Sequence, residues 1–444
     1  MFLAVGGIKV FCCQVWYRRS GARNGIFFWG DVRALSGRQV LGSLGATVFS
    51  VVMIVGTLVE APPSSGATAV QGINGDTITV GGVYDSTDWA GTEAGFMARI
   101  DRANKDHELG KYKIKLVALE DDQANPSTDL TDVQNLIERD HVFALAPVIT
   151  EGFEQPPATF AADHDVPYFG AGFSPGFCKP YTWGYSFTGC DIGGGYYGTQ
   201  PIASVARALG KPVKSLRWAL VGLDVPTGPA ADASYARVIK ADGGKIVYDQ
   251  AVVPENVGNL APIVNSVEAT KPDVVMAQLA VQAIAFEGAL EASGFPGAAL
   301  NEALYSPGLL KIKALATPLN NTYVITTTPV LEEKTPYVKQ MEKDYAAEGL
   351  STSSITFGGE YGYTTADMMI AMLKKVAPNF GSLHSVIEKG FKYTPALGGT
   401  PLNYPFMFNA PDDCSSVVKI EGDVYVPVAK FQCSTKYLKA EPTS

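Results

Sequence analysis

The runs Ile114-Lys115-Leu116-Val117-Ala118-Leu119, Val142-Phe143-Ala144-Leu145-Ala146-Pro147-Val148-Ile149 and Val166-Pro167-Tyr168-Phe169 decide the fold. Each is an apolar strand, and the segments between them read as helices. After the first run, Asn125-Pro126 supplies a capping side chain and a proline for the first helical turn. The helix that follows places Leu130, Val133, Leu136 and Ile137 on one stripe. Repeated strand–helix–strand units require a parallel sheet with right-handed crossovers. Ligands in such sheets sit outside the carboxyl ends of the strands. Here those ends are Glu120-Asp121-Asp122, Thr150-Glu151-Gly152 and Gly172-Phe173-Ser174.

Working outward, residues 1–69 have a different character. Lys9 and five arginines precede an apolar run from Val40 to Val59, followed by Pro62-Pro63-Ser64-Ser65-Gly66 and Ala67-Thr68-Ala69. A basic region, an apolar core and an A-x-A triplet describe a secretory signal cut after Ala69. The alternative is an uncleaved N-terminal anchor, because twenty apolar residues span a bilayer. Neither Cys12 nor Cys13 follows a small-residue lipobox. With Asp31 and Glu60 counted, the leader carries +4, so the rest of a chain of net charge −9 carries −13. That acidity disfavours nucleic acid and anionic lipid as partners. Four cysteines remain beyond the leader, and an even number in an exported chain reads as disulfides. Sequence proximity favours Cys178–Cys190 and Cys414–Cys433.

The α/β alternation continues. A helix from Pro201 ends at Gly210, and strands follow at Leu216–Gly222, Lys245–Val253, Asp273–Leu279, Ala303–Ser306 and Tyr323–Thr328. Helices are expected at Ala230–Ala241, Asn259–Ala269, up to Ser293, over Pro336–Glu348 and over Tyr361–Val376. Val417–Phe431 alternates around Glu421-Gly422-Asp423 as a hairpin. The fold class is α/β, with two doubly wound lobes and parallel sheets. Gly193-Gly194-Gly195 lies near the first passage between them.

The order of these elements resembles the type I periplasmic solute-binding proteins, in particular the leucine/isoleucine/valine-binding branch that serves ABC importers. The resemblance spans residues 76–435. It is carried by Ile78-Thr79-Val80-Gly81-Gly82, Asp121-Asp122 with Asn125-Pro126, Gln155-Pro156, Val166-Pro167-Tyr168-Phe169-Gly170, Asp273-Val274-Val275 and Tyr361-Gly362-Tyr363. It implies two lobes joined by three crossings and closing on a ligand like a hinge. Lobe 1 is expected at 76–196 plus 331–405, and lobe 2 at 197–330 plus 406–444. The implied ligand contacts are Asp85, Ser86, Asp88 and Trp89, then Thr150 and Glu151, then Gly172, Phe173 and Ser174. In the second half they are Thr227, Ala280 and Tyr305.

The residue chemistry departs from the amino-acid binders. Glu151 stands where those relatives hold the α-carboxylate with a serine, and Tyr305-Ser306-Pro307 stands where they hold the ammonium with an acid. A one-residue register slip would instead leave Thr150 as the hydroxyl donor. Two carboxylates do not face each other without a counter-charge. The ligand is therefore expected to be an amide, a polyol, an amine or an unusual amino-acid-like solute, with branched-chain amino acids binding weakly. The resemblance implies an ABC permease as partner, a monomer, an extracytoplasmic location and no cofactor. A membrane-tethered ligand sensor with the same lobes is the second reading, separated from the first by retention of the leader.

Enzyme motifs fare poorly. Gly172-Phe173-Ser174-Pro175-Gly176 matches G-x-S-x-G, but Pro175 has no N–H for an oxyanion hole. Gly193-Gly194-Gly195-Tyr196-Tyr197-Gly198 matches G-x-G-x-x-G without an acid twenty residues on. His107, His141, His164 and His384 show no metal spacing. The sequence is that of a binding protein and not of an enzyme.

Overall fold

In a computed structural model the described residues are 70–440 apart from 124, 126, 151 and 226, so the leader and Glu151 lie outside them. Two sheets organise the chain. In the first, strands Thr77–Tyr84, Lys113–Asp121, Ala144–Ile149, Tyr168–Gly170 and Gly184–Ser186 run parallel, with Thr77–Tyr84 between the second and third. Every residue of Ala144–Ile149 is buried, as expected of a strand covered on both faces by crossover helices. In the second sheet five parallel strands stand in the order Tyr323–Thr326, Ala298–Asn301, Val274–Gln278, Arg217–Leu223, Lys245–Val253. The hairpin Cys414–Glu421/Val424–Cys433 extends it antiparallel at Tyr323–Thr326.

The chain passes between the sheets three times: after Gly184–Ser186, after Tyr323–Thr326 and before Cys414. The first and third passages run side by side. Cys190 donates its N–H to the Ala410 carbonyl at 2.9 Å, and the Gly195 N–H reaches the Asn409 carbonyl at 2.9 Å. Both expected disulfides form there, Cys178–Cys190 across 12 residues and Cys414–Cys433 across 19.

Helix Phe357–Val376 packs against helix Thr92–Lys105 at backbone distance. A Cβ on Gly95 would lie 1.8 Å from the Gly359 carbonyl oxygen, and one on Gly362 would lie 2.1 Å from that of Thr92. Arg99 locks the pair further on, with Nε 2.6 Å from Asp367 and Nη1 2.8 Å from Glu108. Among the described residues no helix is long and apolar enough to cross a membrane.

Three expectations change. The strand expected at Ala303–Ser306 lies at Ala298–Asn301. The buried Asn301 side chain donates to the Ala277 and Leu279 carbonyls and accepts from the Ala303 and Leu304 N–H groups, which turns the chain out of the sheet. The helix expected from Asn125-Pro126 begins at Asp129, and the Asn125 side chain accepts from Ser127 instead of capping it. Leu130 on its stripe stays partly exposed, while Val133, Leu136 and Ile137 are buried. The helix expected from Tyr361 starts at Phe357, capped by Thr356, because its glycines serve the close helix contact and do not break the helix.

Candidate functional site

The carboxyl ends of the two sheets face one cleft with about 1310 Å³ of empty space, its mouth included. Each strand delivers its next residues to that edge, which is why the loops and not the strands line it. From the first sheet's side come Trp89 and Phe173, with Phe357 and Tyr361 from the first turns of their helix. Their rings pack as one cluster. Trp89 lies 4.5 Å from Phe173 and 5.4 Å from Tyr361 between centroids, and Phe173 is 5.6 Å from Tyr361 at 12° between planes. The glycine contacts that bring the two helices together therefore also set Trp89 beside Tyr361.

The second sheet contributes Leu223, Thr227, Gln278, Ala280 and Glu302, with Ser234 and Tyr235 from helix Gly228–Ala241. The crossings contribute Asp191, Thr327 and Asp412. Tyr361 and Thr327 share a hydroxyl–hydroxyl bond of 2.9 Å. Tyr235 donates its hydroxyl to Glu302. Asp412 is 7 % exposed and its Oδ2 has no partner among the described residues. The Trp89 indole N–H is likewise buried and without a partner there.

Burial governs the charge of these acids. It pushes Glu302 up to about 7, against the lowering effect of the Tyr235 hydroxyl. It holds Asp191 well above the carboxylate range, with the Glu302 charge adding to it. Asp412 is raised in the same way, by burial first and then by Asp191 and Asp413. Among the described lining residues there is no Lys, Arg or His.

Of the residues expected from sequence, the cleft gathers Trp89, Phe173, Thr227 and Ala280. Asp88 is not among the lining residues. Burial and the neighbouring Asp85 raise it to about 7, while a backbone N–H at Val281, from the second sheet's side, opposes the rise. The others are engaged elsewhere. Asp85 is buried and accepts from the Thr87 N–H, and Ser86 donates its hydroxyl to Asp121 at 2.6 Å. Thr150 donates to Asp122 at 2.5 Å, and Gly172 presses its Cα against the Gly189 carbonyl. Ser174 is fully buried and donates to the Phe153 carbonyl at 2.6 Å, which leaves no nucleophile in the G-x-S-x-G match. Tyr305 is core, its hydroxyl donating to Glu332 at 2.6 Å. Glu151 lies outside the described residues. Asp85, Asp121 and Asp122 bring carboxylate oxygens within 4.8 Å of one another, where Ser86, Thr87 and Thr150 supply donors.

Sequence reasoning missed Asp191, Tyr235, Gln278, Glu302, Thr327, Phe357, Tyr361 and Asp412. Glu302 and Gln278 were within reach: each stands at the carboxyl end of a parallel strand, and the misplaced Ala303–Ser306 strand hid the first. Asp191 and Asp412 carry no local signal, since only the pairing of two crossings brings them together.

The family model described as periplasmic binding protein matches residues 77–400. The chain belongs to the periplasmic binding protein family. Solved structures of ABC-transporter solute-binding proteins share its fold. One from R. palustris in complex with 4-hydroxybenzoate is 16 % identical, covers 83 % of this chain and 98 % of its own, and superposes with a TM-score of 0.62. One from Rhodopseudomonas palustris BisB5 in complex with 3,4-dihydroxybenzoic acid is 20 % identical, covering 81 % and 98 %, at 0.60. A branched-chain amino acid ABC transporter protein from Thermus thermophilus with bound valine is 15 % identical, covering 81 % and 96 %, at 0.62. No curated protein sequence matches the chain.

Proposed function

We propose that this periplasmic binding protein is an extracytoplasmic receptor, acting as a monomer, that captures a small molecule between its lobes and delivers it to the permease of an ABC-type importer. The observation that carries this reading is the cleft itself. Both sheets point their carboxyl ends into it, and its walls come from both sides and from the crossings. A site divided between two bodies binds tightly only when they approach, so the ligand biases an open–closed equilibrium. The contacts proposed are Trp89, Phe173, Thr227 and Ala280, joined by Tyr235, Glu302, Tyr361 and Asp412.

Hydrogen-bond donors on an amide, a polyol or an amine suit these acceptors. Leucine, isoleucine and valine suit them poorly, because their carboxylate would meet acids and no base. Native mass spectrometry of protein exported from a producing cell reads both the mature N-terminus and any ligand retained through purification. Small-angle scattering then tests closure: saturation with that ligand is expected to shrink the radius of gyration. Unchanged scattering with the ligand verifiably bound refutes a closing receptor, and micromolar leucine binding refutes the exclusion of branched-chain amino acids.

A further inference from the structure

The polar groups of the cleft carry one sign of charge. Asp191, Glu302 and Asp412 reach it from three separate segments. The same lining holds the near-parallel rings of Trp89, Phe173 and Tyr361. Three carboxyls around one enclosed space do not all ionise without a counter-charge, and here no side chain of the described lining supplies one. Asp412 keeps a buried oxygen without a partner, which is a cost the fold bears unless a donor arrives.

We propose that the ligand of this cleft is a small planar organic cation of the amidinium or guanidinium type, its plane lying on the aromatic stack and its N–H groups donating to Asp191, Glu302 and Asp412. The proposal rests on the receptor reading, since it takes the same cleft as the ligand site. A delocalised planar cation is more weakly hydrated than an ammonium, so it gives up water more readily on entering an apolar wall. Its face is attracted to the ring quadrupoles, and its N–H fork matches carboxylate geometry. An anionic ligand of the same size would have only neutral donors against three acids.

Ionisation follows from the same arrangement. Without ligand, burial raises Asp191 and Asp412 well above the carboxylate range, which favours their neutral forms, and raises Glu302 to about 7. The groups facing them add no positive charge. Tyr235 donates to Glu302, Asp232 on the same helix is raised to about 7, and Asp413 raises Asp412. Tyr361 and Tyr437 are pushed up by burial and stay neutral. Arg237, on that helix, stacks over Tyr197 at 5.5 Å and is exposed. An arriving cation favours the ionised acids, so binding expels protons and affinity rises with pH through about 7.

The test uses three probes of one shape and different charge: benzamidine, benzamide and benzoate. Calorimetry near neutral pH, in two buffers of different ionisation enthalpy, measures affinity and proton release together. Benzamidine is expected to bind about tenfold or more tighter than either other probe, one pKa unit of charge interaction being a factor of ten, and to release protons. Glu302→Gln is expected to weaken benzamidine about tenfold and to leave benzamide within about threefold. Thermal unfolding checks that the variant is folded, and Asp412→Asn repeats the experiment should it not be. Benzamide or benzoate binding as tightly as benzamidine, no probe binding at millimolar concentration, or benzamidine binding without proton release overturns the proposal. Scattering separates the two readings. Compaction by benzoate and not by benzamidine removes the cation and leaves the receptor; no compaction by any probe or by the co-purified ligand removes the receptor as well.

Discussion

Gly362→Ala tests the contact on which the aromatic wall depends. A Cβ at this position meets the Thr92 carbonyl oxygen at 2.1 Å, where ordinary contact begins at 3.4 Å, and the obstructing atom is backbone. No rotamer change relieves it. The two helices must separate by over an ångström, or helix Phe357–Val376 must distort where it carries Tyr361. Overpacking of this kind costs about 3 kcal/mol, and alanine returns about 1 kcal/mol of helix propensity, leaving about 2 kcal/mol of destabilisation. Gly288 is the control, because a Cβ there meets only the Pro318 ring at 3.3 Å, about a tenth of an ångström inside ordinary contact and far from backbone. Urea unfolding is expected to lower the midpoint for Gly362→Ala with the slope unchanged, and to leave Gly288→Ala within about 1 kcal/mol of the parent. Near-ultraviolet circular dichroism should change only in the first variant, because the stack of Tyr361 on Trp89 shifts with the helix. A Gly362→Ala protein as stable as the parent, with an unaltered aromatic spectrum, refutes the close contact and its role in placing Trp89.

Other consequences are open to measurement. Burial raises Glu360 to about 8 from its ordinary 4.5, so the folded state binds its proton more tightly than the unfolded state. That stability is complete below about 4.5 and is lost as pH rises toward about 8. Glu360→Gln should therefore leave stability nearly unchanged at pH 4 and raise it at pH 9, and equal effects at both would contradict the burial argument. Arg99→Met removes the buried cation closest to Asp367 and Glu108, leaving Asp367 with Arg102 at 3.9 Å and Glu108 with Lys374 at 3.3 Å, and is expected to cost about 3 kcal/mol in urea unfolding; a loss under about 1 kcal/mol would show the network to be solvent-screened. Non-reducing peptide maps of exported protein should recover Cys178–Cys190 and Cys414–Cys433 intact, and any cross-pairing between the two would break the description of the crossings.

Much of the fold was legible because its signals are local. Apolar runs of strand length alternating with helical stripes dictate a parallel sheet, and the chemistry of the chain then fixes which sheet edge faces the ligand. Phe173 follows from that rule, while Trp89, Thr227 and Ala280 were implied by the resemblance to the solute-binding proteins; each lies just past a strand. The rule did not hold at every strand: Asp85, Ser86, Thr150 and Ser174 also lie past strands but spend their polar groups on neighbouring residues, and in the second sheet a single side chain was responsible. Asn301 caps its strand through four hydrogen bonds to backbone groups, so Glu302 and not Tyr305 emerges at the cleft.

The sequence by itself determined the class of fold and the pairing of cysteines 12 and 19 residues apart, because period and proximity are properties of neighbouring residues. Tertiary structure alone decided the site's charge. Asp191 and Asp412 are more than two hundred positions apart. They come together because the first and third crossings hydrogen-bond to each other, and they acquire raised pKa values because that meeting place is buried. Desolvation depends on everything packed around a group, and no stretch of chain encodes it.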